Sequence, residues 1–585
     1  MSTKDNKVEK INEAAGQRMT GAEALLHSLV AEGVDTVFGY PGGAILPVYN
    51  ALYDFSDLRH ILVRHEQGAM HAAQGYARAT GRTGVVIVTS GPGAANCVTG
   101  LSDAMMDSTP LVLITGQVGA RYLGSDAFQE TDVVAVTQPI TKWAYQVRNA
   151  DELSDAVARA FYIASTGRPG PVVLDIAKDA QTGLTDFCHR PVKFIRSYNP
   201  DPEPATADIE RVAEMINSAE RPMIVAGGGV TLAEASEALD KLARKAEIPV
   251  AATLMGLSAL PSDHPLFMGM AGMHGAVGVN VATNKADLII GVGMRFDDRV
   301  TGNTESYAPG AQIVHIDIDS SEFNKTVAAD ATVHGDARAV LEALEPLVEN
   351  RTRPEWLALF KRCHDVEENE VESRELHRKG DEPLTMGEVA RLVSEKSPAG
   401  TIAVTDVGQN QMMTARYFRY SAPRSLITSG GLGTMGFGLP ASIGAAVGAP
   451  SRTVFYMGGD GGFQMTMQEL GTIMQYNIPV KMIVFNNSFL GNVRQWQQLF
   501  FNGRFSHTPL INPDFKTIAA AYGIQAEDIA RRSELEDAVG RMLAHDGPYL
   551  LNVAIDPTDM VFPMTPVGKP VDFIMLSPDK TYSYE

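Results

Sequence analysis

The sequence predicts an α/β protein made of three doubly wound parallel-sheet domains. Continuous apolar strands alternate with amphipathic helices, a pattern typical of parallel sheets covered by helices on both faces. The 585 residues are enough for three or four domains at roughly 100 to 200 residues each. Two segments interrupt the alternation and divide the chain into three blocks, 19–190, 205–350 and 383–560.

The two interruptions and the two ends of the chain are predicted to lie outside the sheets. Residues 199–204 have proline at every second position, which forces an extended linker. Residues 351–382 are crowded with charges, so we expect a solvated helix or loop that links two blocks. Residues 1–18 mix acids and bases without an apolar stretch, so we expect a disordered terminus rather than a signal peptide. Residues 561–585 are assigned to a C-terminal tail.

Composition excludes several classes of protein. The net charge of -20, from 49 basic and 69 acidic residues, argues against a nucleic-acid or anionic-membrane binder. No uninterrupted apolar run reaches the roughly 18 residues that a membrane helix needs. Cys97, Cys188 and Cys363 are widely spaced, which predicts neither a disulfide framework nor a cysteine metal site. A cytoplasmic location is therefore expected.

The first and third blocks repeat one pattern of elements. In the first, a strand at 85–88 runs into Ser90-Gly91-Pro92-Gly93, followed by a helix and a strand at 111–114. In the third, a strand at 453–456 runs into Gly458-Gly459-Asp460-Gly461, followed by a helix and a strand that ends at Phe485. The repeat predicts two related α/β domains.

The middle block carries glycine turns and an acid at predicted strand ends. These are Gly227-Gly228-Gly229, Gly291-Val292-Gly293 and Asp317. Glycine turns let the backbone approach a pyrophosphate, and an acid after a strand suits a ribose hydroxyl. Each feature alone is weak evidence, because most glycine turns bind no nucleotide.

The most specific signal is Gly459-Asp460-Gly461, followed after 24 intervening residues by Asn486-Asn487. A carboxylate and an amide oxygen at neighbouring strand ends can ligate Mg²⁺, and diphosphate oxygens can complete the octahedral shell. The glycines leave room for a diphosphate at the start of a helix. Separately, the two segments are more often a plain turn and an Asn-capped loop. Their combination favours a metal–diphosphate site.

This arrangement resembles the cofactor-binding motif of thiamine diphosphate enzymes. Such enzymes place a glutamate against the pyrimidine ring of the cofactor, and Arg64-His65-Glu66-Gln67 supplies the candidate, Glu66. It opens an Ala/Gly-rich helix suited to close packing. The alternative for Glu66 is a first-turn acid stabilised by the helix dipole.

Across nearly the whole chain the sequence also resembles the catalytic subunit of acetohydroxyacid synthase, or acetolactate synthase. The resemblance rests on segments 38–43, 65–67, 90–93, 126–130, 167–171, 295–300 and 495–497. It implies a thiamine diphosphate-binding fold, with a pyrimidine-binding domain (19–190), a central FAD-binding Rossmann-like domain (205–350) and a pyrophosphate-binding domain (383–560).

The resemblance implies a transferase that uses thiamine diphosphate, Mg²⁺ and FAD. Pyruvate would be decarboxylated and the hydroxyethyl unit joined to a second pyruvate or to 2-oxobutyrate, in the first common step of branched-chain amino acid biosynthesis. It also implies a homodimer or homotetramer with active sites at the subunit interface. A separate small regulatory subunit is left open.

The same resemblance assigns site residues. The catalytic set is Glu66, Gln129, Arg299, Trp496, Lys178 and Phe128. The thiamine diphosphate set is Glu66, Pro41, Gly42, Gln409, Met435, Gly459, Asp460, Gly461, Gly462, Asn487 and Gly491. The metal set is Asp460, Asn487 and Phe489. The FAD set is Arg168, Gly228, Gly229, Thr253, Leu254, Met273, His274, Gly293, Arg295, Asp317 and Asp336.

The chain departs from the family pattern at Asn410, Met413 and Asn492, which puts substrate preference in doubt. Two alternatives remain open at this point. One is another thiamine diphosphate enzyme, such as pyruvate oxidase, a 2-oxoacid decarboxylase or glyoxylate carboligase. The other is a catalytically silent relative that kept the fold.

Overall fold

The computed structural model describes residues 14–380 and 382–584, which contain three six-stranded parallel sheets. The predicted α/β class is therefore confirmed. The chain forms two compact units. The first comprises Met1–Pro200, Ser429–Ser451 and Met465–Val480, and the second comprises Asp201–Thr428, Arg452–Gln464 and Lys481–Glu585.

The first unit contains the first sheet. The strands of this unit are β1 (Arg18–Thr20), β2 (Thr36–Tyr40), β3 (Arg59–Leu62), β4 (Gly84–Val88), β5 (Leu111–Gln117), β6 (Trp143–Val147), β7 (Pro171–Ala177) and β8 (Leu184–Asp186). Its helices include α1 (Gly21–Ala31), α2 (Leu46–Tyr53), α3 (Glu66–Thr80), α4 (Pro92–Ala95), α5 (Val98–Met106), α6 (Val133–Thr137), α7 (Leu153–Ser165) and α8 (Lys178–Thr182). The parallel order is β3-β2-β4-β5-β7-β6, and β1 pairs with β8 in a separate antiparallel ribbon.

The expectation for residues 1–18 is corrected for its described part. Residues 1–13 lie outside the described residues. From residue 14 the chain is ordered: Ala14 is buried, the Gly16 amide donates to the Phe187 carbonyl, and Arg18 pairs with Asp186 in the ribbon. Pairing of β1 with β8 holds this part of the chain in place.

The second unit contains the second sheet. Its strands are β9 (Pro222–Ala226), β10 (Val250–Ala252), β11 (Phe267–Met270), β12 (Leu288–Val292), β13 (Gln312–Asp317) and β14 (Ala331–His334). Its helices are α9 (Thr206–Ser218), α10 (Gly228–Leu232), α11 (Ser236–Ala246), α12 (Val277–Lys285), α13 (Asp298–Thr301) and α14 (Ala337–Leu344). The order β11-β10-β9-β12-β13-β14 is that of a dinucleotide-binding sheet, and the strand order reverses between β9 and β12.

The charged segment after the second sheet is helical with a buried face. It forms α15 (Pro354–Glu367), a π-helical turn (Glu368–Glu372) and α16 (Ser373–Leu376). Trp356, Phe360 and Cys363 are buried in an apolar cluster. The prediction of a solvated segment therefore applies only to the outer face of the helix. Its few apolar residues recur at helical spacing, and the many charges between them obscure that pattern in the sequence.

The third sheet also belongs to the second unit. Its strands are β15 (Ile402–Thr405), β16 (Leu426–Ile427), β17 (Val454–Gly459), β18 (Lys481–Asn486), β19 (Gln525–Ile529) and β20 (Tyr549–Ala554). The helices of this part of the chain are α17 (Met386–Lys396), α18 (Gln409–Tyr417), α19 (Gly438–Gly448), α20 (Asp460–Thr466), α21 (Leu470–Tyr476), α22 (Gly491–Phe500), α23 (Phe515–Ala521) and α24 (Arg532–Ala544). Helices α19 and α21 fall in the first unit.

The first and third sheets have the same topology. Numbered from the first strand of each, both run 2-1-3-4-6-5. The repeat seen in the sequence is therefore a repeat of the fold, and in each sheet the strand order reverses between the first and third strands. Such reversal points open a crevice at the carboxyl ends of the strands.

The C-terminal segment is more than a tail. Strands β21 (Ile574–Ser577) and β22 (Lys580–Tyr582) form an antiparallel hairpin. Val561, Met564 and Ile574 are fully buried. Short apolar stretches between prolines give no periodic signal, so the sequence did not predict this packing. Within the described residues, no helix is both long and apolar enough to cross a membrane.

Helices α3 and α19 cross at very short distance within the first unit. A Cβ on Gly75 would lie 1.9 Å from the Ala441 carbonyl oxygen, and one on Gly444 would lie 1.7 Å from that of Ala72. Only glycine permits this approach. The Ala/Gly-rich composition of α3, expected to allow close packing, has this physical role.

We expect Gly444→Ala to lower the free energy of unfolding by about 1 to 3 kcal/mol, because the added methyl group overlaps backbone. Gly540→Ala is the matched control, since this helical glycine has open space around its Cβ position. It should stabilise by about 0.4 to 1 kcal/mol. Denaturant titration of both variants measures the difference, and equal effects would contradict the close crossing.

Candidate active site

Three strands of the third sheet deliver polar side chains to one edge. Asp406 follows β15, Asp460 follows β17 and Asn487 follows β18. Strand β17 lies between the other two, and Gly459 is in register with Phe485. The predicted pairing of Asp460 with Asn487 on consecutive strand ends is therefore present. The strand order reverses between β15 and β17, where a crevice is expected.

Asp460 is a buried carboxylate held by backbone and amide donors. It is 1% exposed, and its Oδ2 accepts hydrogen bonds from the Ser488 amide at 2.8 Å and from Asn512 Nδ2 at 2.6 Å. Its Oδ1 accepts from the Gly461 amide at 3.0 Å. Burial raises its pKa, and these hydrogen bonds partly offset the rise. A cation would relieve the remaining cost of the buried charge.

Asn487 and Gln409 form a buried amide pair beside Asp460's strand. Asn487 Nδ2 donates to Gln409 Oε1 at 3.3 Å, while Asn487 Oδ1 accepts from the Phe489 amide at 3.1 Å. A Cβ on Gly491 would lie 2.1 Å from Gln409 Oε1, so a side chain there would displace the Gln409 amide. The oxygens of Asp460 and Asn487 are hard donors of the kind Mg²⁺ binds.

Glycines surround Asp460, and at Gly462 there is no space for a side chain. A Cβ on Gly462 would lie 2.3 Å from Asp406 Oδ1. Gly408, which caps α18, has a φ of 125°, a conformation that favours glycine. Gly459 and Gly461 flank the acid as the sequence indicates. This donor set and this close backbone approach fit a metal-bound diphosphate.

Trp496, Arg299 and Phe489 complete the predicted residues of this region. Trp496 lies on α22, half-buried, with its ring 5.3 Å from that of Phe500. It borders the apolar cluster that contains Val300. The exposed Arg299 pairs with Asp298 at 3.3 Å, the surface ion pair that is the alternative to a binding role. Phe489 is half-buried and bridges to Pro509.

The positions that depart from the family pattern lie at the same edge. Asn410 Nδ2 donates to the Met457 carbonyl at 3.0 Å, which ties α18 to β17. Met413 is buried in the apolar core. Asn492 Oδ1 is buried without a hydrogen-bond partner. Asn410 thus has a structural role, whereas Asn492 retains an unused acceptor.

In the first unit, Glu66 opens α3 near the carboxyl end of the first sheet. It is half-buried, and its Oε2 accepts a hydrogen bond from Asn96 Nδ2 at 2.9 Å. A Cβ on Gly93 would lie 3.5 Å from Glu66 Oε1 and 2.8 Å from Thr89 Cγ2. Because Asn96 binds only one carboxylate oxygen, the other is available.

Pro41 and Gly42 follow β2 at the same edge. A Cβ on Gly42 would lie 2.5 Å from Thr89 Cβ, so the loop after β2 touches the loop after β4. The structure thus brings Glu66 together with Gly42, through the Thr89 and Gly93 loop. Met435 is half-buried in the glycine-rich segment before α19.

Glu469 holds the backbone just before Glu66. It is buried, and its carboxylate accepts from the Arg64 and His65 amides, both at 3.1 Å, and from Thr472 Oγ1 at 2.6 Å. Burial raises its pKa, and these donors oppose the rise. The orientation of the Glu66 turn depends on this carboxylate.

The remaining predicted site residues of the first unit lie in loops or at the start of a helix. Gln129 has a φ of 59°, and a Cβ on Gly91 would lie 2.9 Å from Gln129 Cβ. Phe128 is 88% exposed, and Lys178 is exposed at the start of α8. Arg168 Nε donates to Ser108 Oγ at 2.9 Å.

The predicted FAD residues of the second sheet gather at its carboxyl edge. Gly229 and Gly293 approach each other at the reversal between β9 and β12, where a Cβ on either would lie 2.6 Å from the other's Cα. Gly228 opens α10, Thr253 follows β10 and Asp317 ends β13. Asp336 instead caps α14, accepting from the Arg338 amide at 3.0 Å.

Other FAD candidates lie in the loops after β10, β11 and β12. His274 is buried, and burial lowers its pKa to about 4, so the ring is neutral at neutral pH. Its Nδ1 donates to the Pro563 carbonyl at 3.3 Å, which leaves Nε2 as an acceptor. The Met273 amide donates to the Arg299 carbonyl at 2.8 Å. Leu254 and Arg295 are half-buried.

Sequence reasoning missed Asp406, Asn512, Gln495 and Glu469. Asp406 had a signal, since it directly follows the apolar run of β15 as Asp460 follows β17. In the second unit Asn512 binds Asp460 and Gln495 binds Gln409, and in the first unit Glu469 binds the backbone before Glu66. No local pattern marks them.

Comparison with known proteins agrees with the geometry. Three protein-family models match: "Thiamine pyrophosphate enzyme, N-terminal TPP binding domain" over 19–136, the central domain over 209–344 and the C-terminal TPP binding domain over 406–553. Together with the strand-end site, they define the chain as a thiamine diphosphate-dependent enzyme.

Curated relatives narrow the class. The chain is 46% identical to the Escherichia coli acetolactate synthase isozyme 2 large subunit over 94% of the chain and 98% of that protein. It is 42% identical to the Lactococcus lactis acetolactate synthase large subunit over 94% of the chain and 95% of that protein. It is 43% identical to the Corynebacterium glutamicum acetolactate synthase large subunit over 95% of the chain and 90% of that protein. The chain belongs to the acetolactate synthase large-subunit family.

The function and cofactors expected from the sequence are thereby confirmed. The chain is a transferase that decarboxylates pyruvate and joins the remaining two-carbon unit to a second pyruvate or to 2-oxobutyrate. The products, 2-acetolactate and 2-aceto-2-hydroxybutyrate, lead to valine, leucine and isoleucine. Its cofactors are thiamine diphosphate, Mg²⁺ and FAD.

We expect Glu469→Ala to lower the free energy of unfolding by about 1 to 3 kcal/mol, because the partly buried Arg64 and His65 amides lose their acceptor. Glu469→Gln keeps one acceptor oxygen and should cost about 1 kcal/mol. Equilibrium denaturation compares the two. Equal losses would show that the carboxylate does not act as this acceptor.

Proposed function

We propose that Asp460 and Asn487 hold the Mg²⁺ and its bound diphosphate. The single observation that carries this proposal is the delivery of a buried carboxylate and a buried amide oxygen by neighbouring parallel strands, β17 and β18. The Phe489 carbonyl is proposed as a third ligand. When bound, thiamine diphosphate supplies a nucleophilic carbon and an electron sink for loss of CO₂.

The other cofactor residues divide by position. Gly459, Gly461 and Gly462 give the diphosphate close access to backbone, and Gln409 and Gly491 line the same edge. Pro41, Gly42 and Met435 are proposed to face the organic part of the cofactor.

Glu66 is proposed to move a proton to and from the cofactor's pyrimidine ring. Its free carboxylate oxygen and the Asn96 hydrogen bond support this role, since Asn96 orients the group without neutralising it. A first-turn acid that only stabilises its helix would not need this side-chain partner.

Arg299 is proposed to bind the carboxylate of the acceptor 2-oxoacid. Its present partner, Asp298, forms an exposed pair worth about 0 to 1 kcal/mol, which a substrate carboxylate can replace. Trp496 is proposed to contact the acceptor's alkyl group, where one methylene contributes about 1 to 3 kcal/mol of preference. Gln129, Phe128 and Lys178 are proposed to line the substrate entrance.

The FAD site is proposed at the carboxyl edge of the second sheet. The close approach of Gly229 and Gly293 supports a pyrophosphate there, because a turn without side chains lets a ligand come close to the backbone. The neutral His274 offers Nε2 as an acceptor. We infer that the domains follow the predicted boundaries, 19–190, 205–350 and 383–560, and that the chain acts in the cytoplasm.

We infer that the active sites form between two copies of the chain, in a homodimer or a homotetramer. Large apolar side chains are exposed in both units, among them Tyr53 at 90% and Phe128 at 88% in the first and Phe501 at 60% in the second. Such exposure is typical of surfaces that a partner covers. A separate small regulatory subunit is compatible with this assembly.

Glu66→Gln should lower acetolactate formation at least about tenfold, equivalent to about 1.4 kcal/mol of barrier. The assay uses pyruvate with thiamine diphosphate, Mg²⁺ and FAD. Glu355→Gln is the matched control, since Glu355 is an exposed acid in the first turn of α15. Equal activity of the two variants would support the helix-dipole role for Glu66 instead.

Mixing Glu66→Gln with Asp460→Ala tests the shared site. If each site takes Glu66 from one chain and Asp460 from the other, a mixed dimer has one intact site. Random exchange should then restore about a quarter of wild-type activity. No recovery after exchange verified by sedimentation, or an active monomer, would contradict the assembly.

A further inference from the structure

Gln495 connects the predicted cofactor site to the C-terminal segment. It lies on α22, one residue before Trp496, and is fully buried. Its Nε2 donates to the Val561 carbonyl at 3.1 Å, and its Oε1 accepts from the Val561 amide at 2.9 Å. Both ends of the side-chain amide are therefore paired with the backbone of one residue.

This pairing fixes which way round the Gln495 amide lies. A backbone N–H can only donate and a carbonyl can only accept, so Gln495 Oε1 must face the Val561 amide. The same Oε1 accepts a second hydrogen bond, from Gln409 Nε2 at 3.1 Å. Gln409 Nε2 also donates to the Asp559 carbonyl at 3.0 Å. Two acceptors thus fix the orientation of Gln409.

Gln409 in turn fixes the orientation of the Asn487 side-chain amide. Both hydrogens on Gln409 Nε2 are used, so Gln409 presents Oε1 to Asn487. Asn487 must therefore donate from Nδ2, and the two atoms lie 3.3 Å apart. Asn487 Oδ1 consequently points away from Gln409, where the Phe489 amide also donates to it. The reverse orientation would present an NH₂ group, which cannot ligate a cation.

We propose that Gln495 is a positioning residue that, through Gln409, orients the Asn487 amide so that its oxygen faces the metal. This inference rests on the role proposed above for Asn487. It deepens that role by assigning the orientation of a ligand to a buried chain of three amides anchored on Val561. Residues that orient a ligand in this way typically change metal affinity 10- to 100-fold when replaced.

The test measures metal binding directly. Mn²⁺ serves as the probe for Mg²⁺, and its binding to the full-length protein with thiamine diphosphate is followed by electron paramagnetic resonance. Gln495→Met keeps the side-chain volume but not the hydrogen bonds, and should weaken Mn²⁺ binding about tenfold. Gln497→Met is the matched control. It lies on the same helix and loses bonds to Ser506 and Thr508, but does not touch Gln409.

A second variant separates hydrogen bonding from packing. In Gln495→Glu a neutral carboxyl can accept from Gln409 and donate to the Val561 carbonyl. The ionised form has no hydrogen to donate, so one carboxylate oxygen faces the Val561 carbonyl oxygen and the two repel each other. Burial raises the pKa of such a carboxyl. Mn²⁺ affinity should thus approach the wild-type value at low pH and fall as pH rises. The wild-type profile serves as reference because Asp559, paired with Arg378, has a pKa raised to about 6 by burial.

The outcomes are distinct. Weakened binding in Gln495→Met but not Gln497→Met, with the added pH dependence in Gln495→Glu, supports the proposal. Wild-type affinity in Gln495→Met, or equal weakening in Gln497→Met, overturns it. Asn487→Ala is included throughout. If Asn487→Ala binds Mn²⁺ normally, Asn487 is not a metal ligand. If Asn487→Ala weakens binding and Gln495→Met does not, Asn487 remains a metal ligand and only the proposed role of Gln495 is wrong.

Discussion

The arrangement of the third sheet depends on the burial of one carboxylate, that of Asp460. A charge in this position is unfavourable without partners, and the surrounding chain supplies three hydrogen-bond donors from the Gly461 amide, the Ser488 amide and Asn512. Those donors come from three separate segments. The carboxylate therefore links the helix after β17 to the loop after β18 and to a distant loop, and a cation would complete the same arrangement.

The two related sheets show how one topology serves two tasks. In both, the strand order reverses between the first and third strands, the position where parallel sheets bind ligands. In the first sheet the crevice presents Glu66 and small loop residues, and in the third it presents Asp460 and Asn487. The second sheet has the dinucleotide order and brings Gly229 against Gly293. In each sheet the scaffold is parallel strands, and the chemistry depends on the residues after them.

Much of the fold and part of the site follow from local sequence. The strand ends at Asp460 and Asn487 were predictable because an acid and an amide directly follow apolar runs, and parallel neighbours must bring such positions together. The burial of Trp356 and the packing of Ile574 were not predictable, because the charges and prolines around them hide the apolar pattern. Asp406 was accessible to the same reasoning as Asp460.

The sequence alone determined the α/β class, the internal repeat, the cofactor family and the strand-end residues, because periodicity and motif spacing are local properties of a chain. Only the tertiary structure decided which side chains support those residues. Glu469 holds the Glu66 turn, Asn512 holds Asp460 and Gln495 holds Gln409, and hydrogen bonds between residues far apart in sequence leave no trace in local spacing. Their contributions arise from directional contacts, which exist only once the backbone is folded.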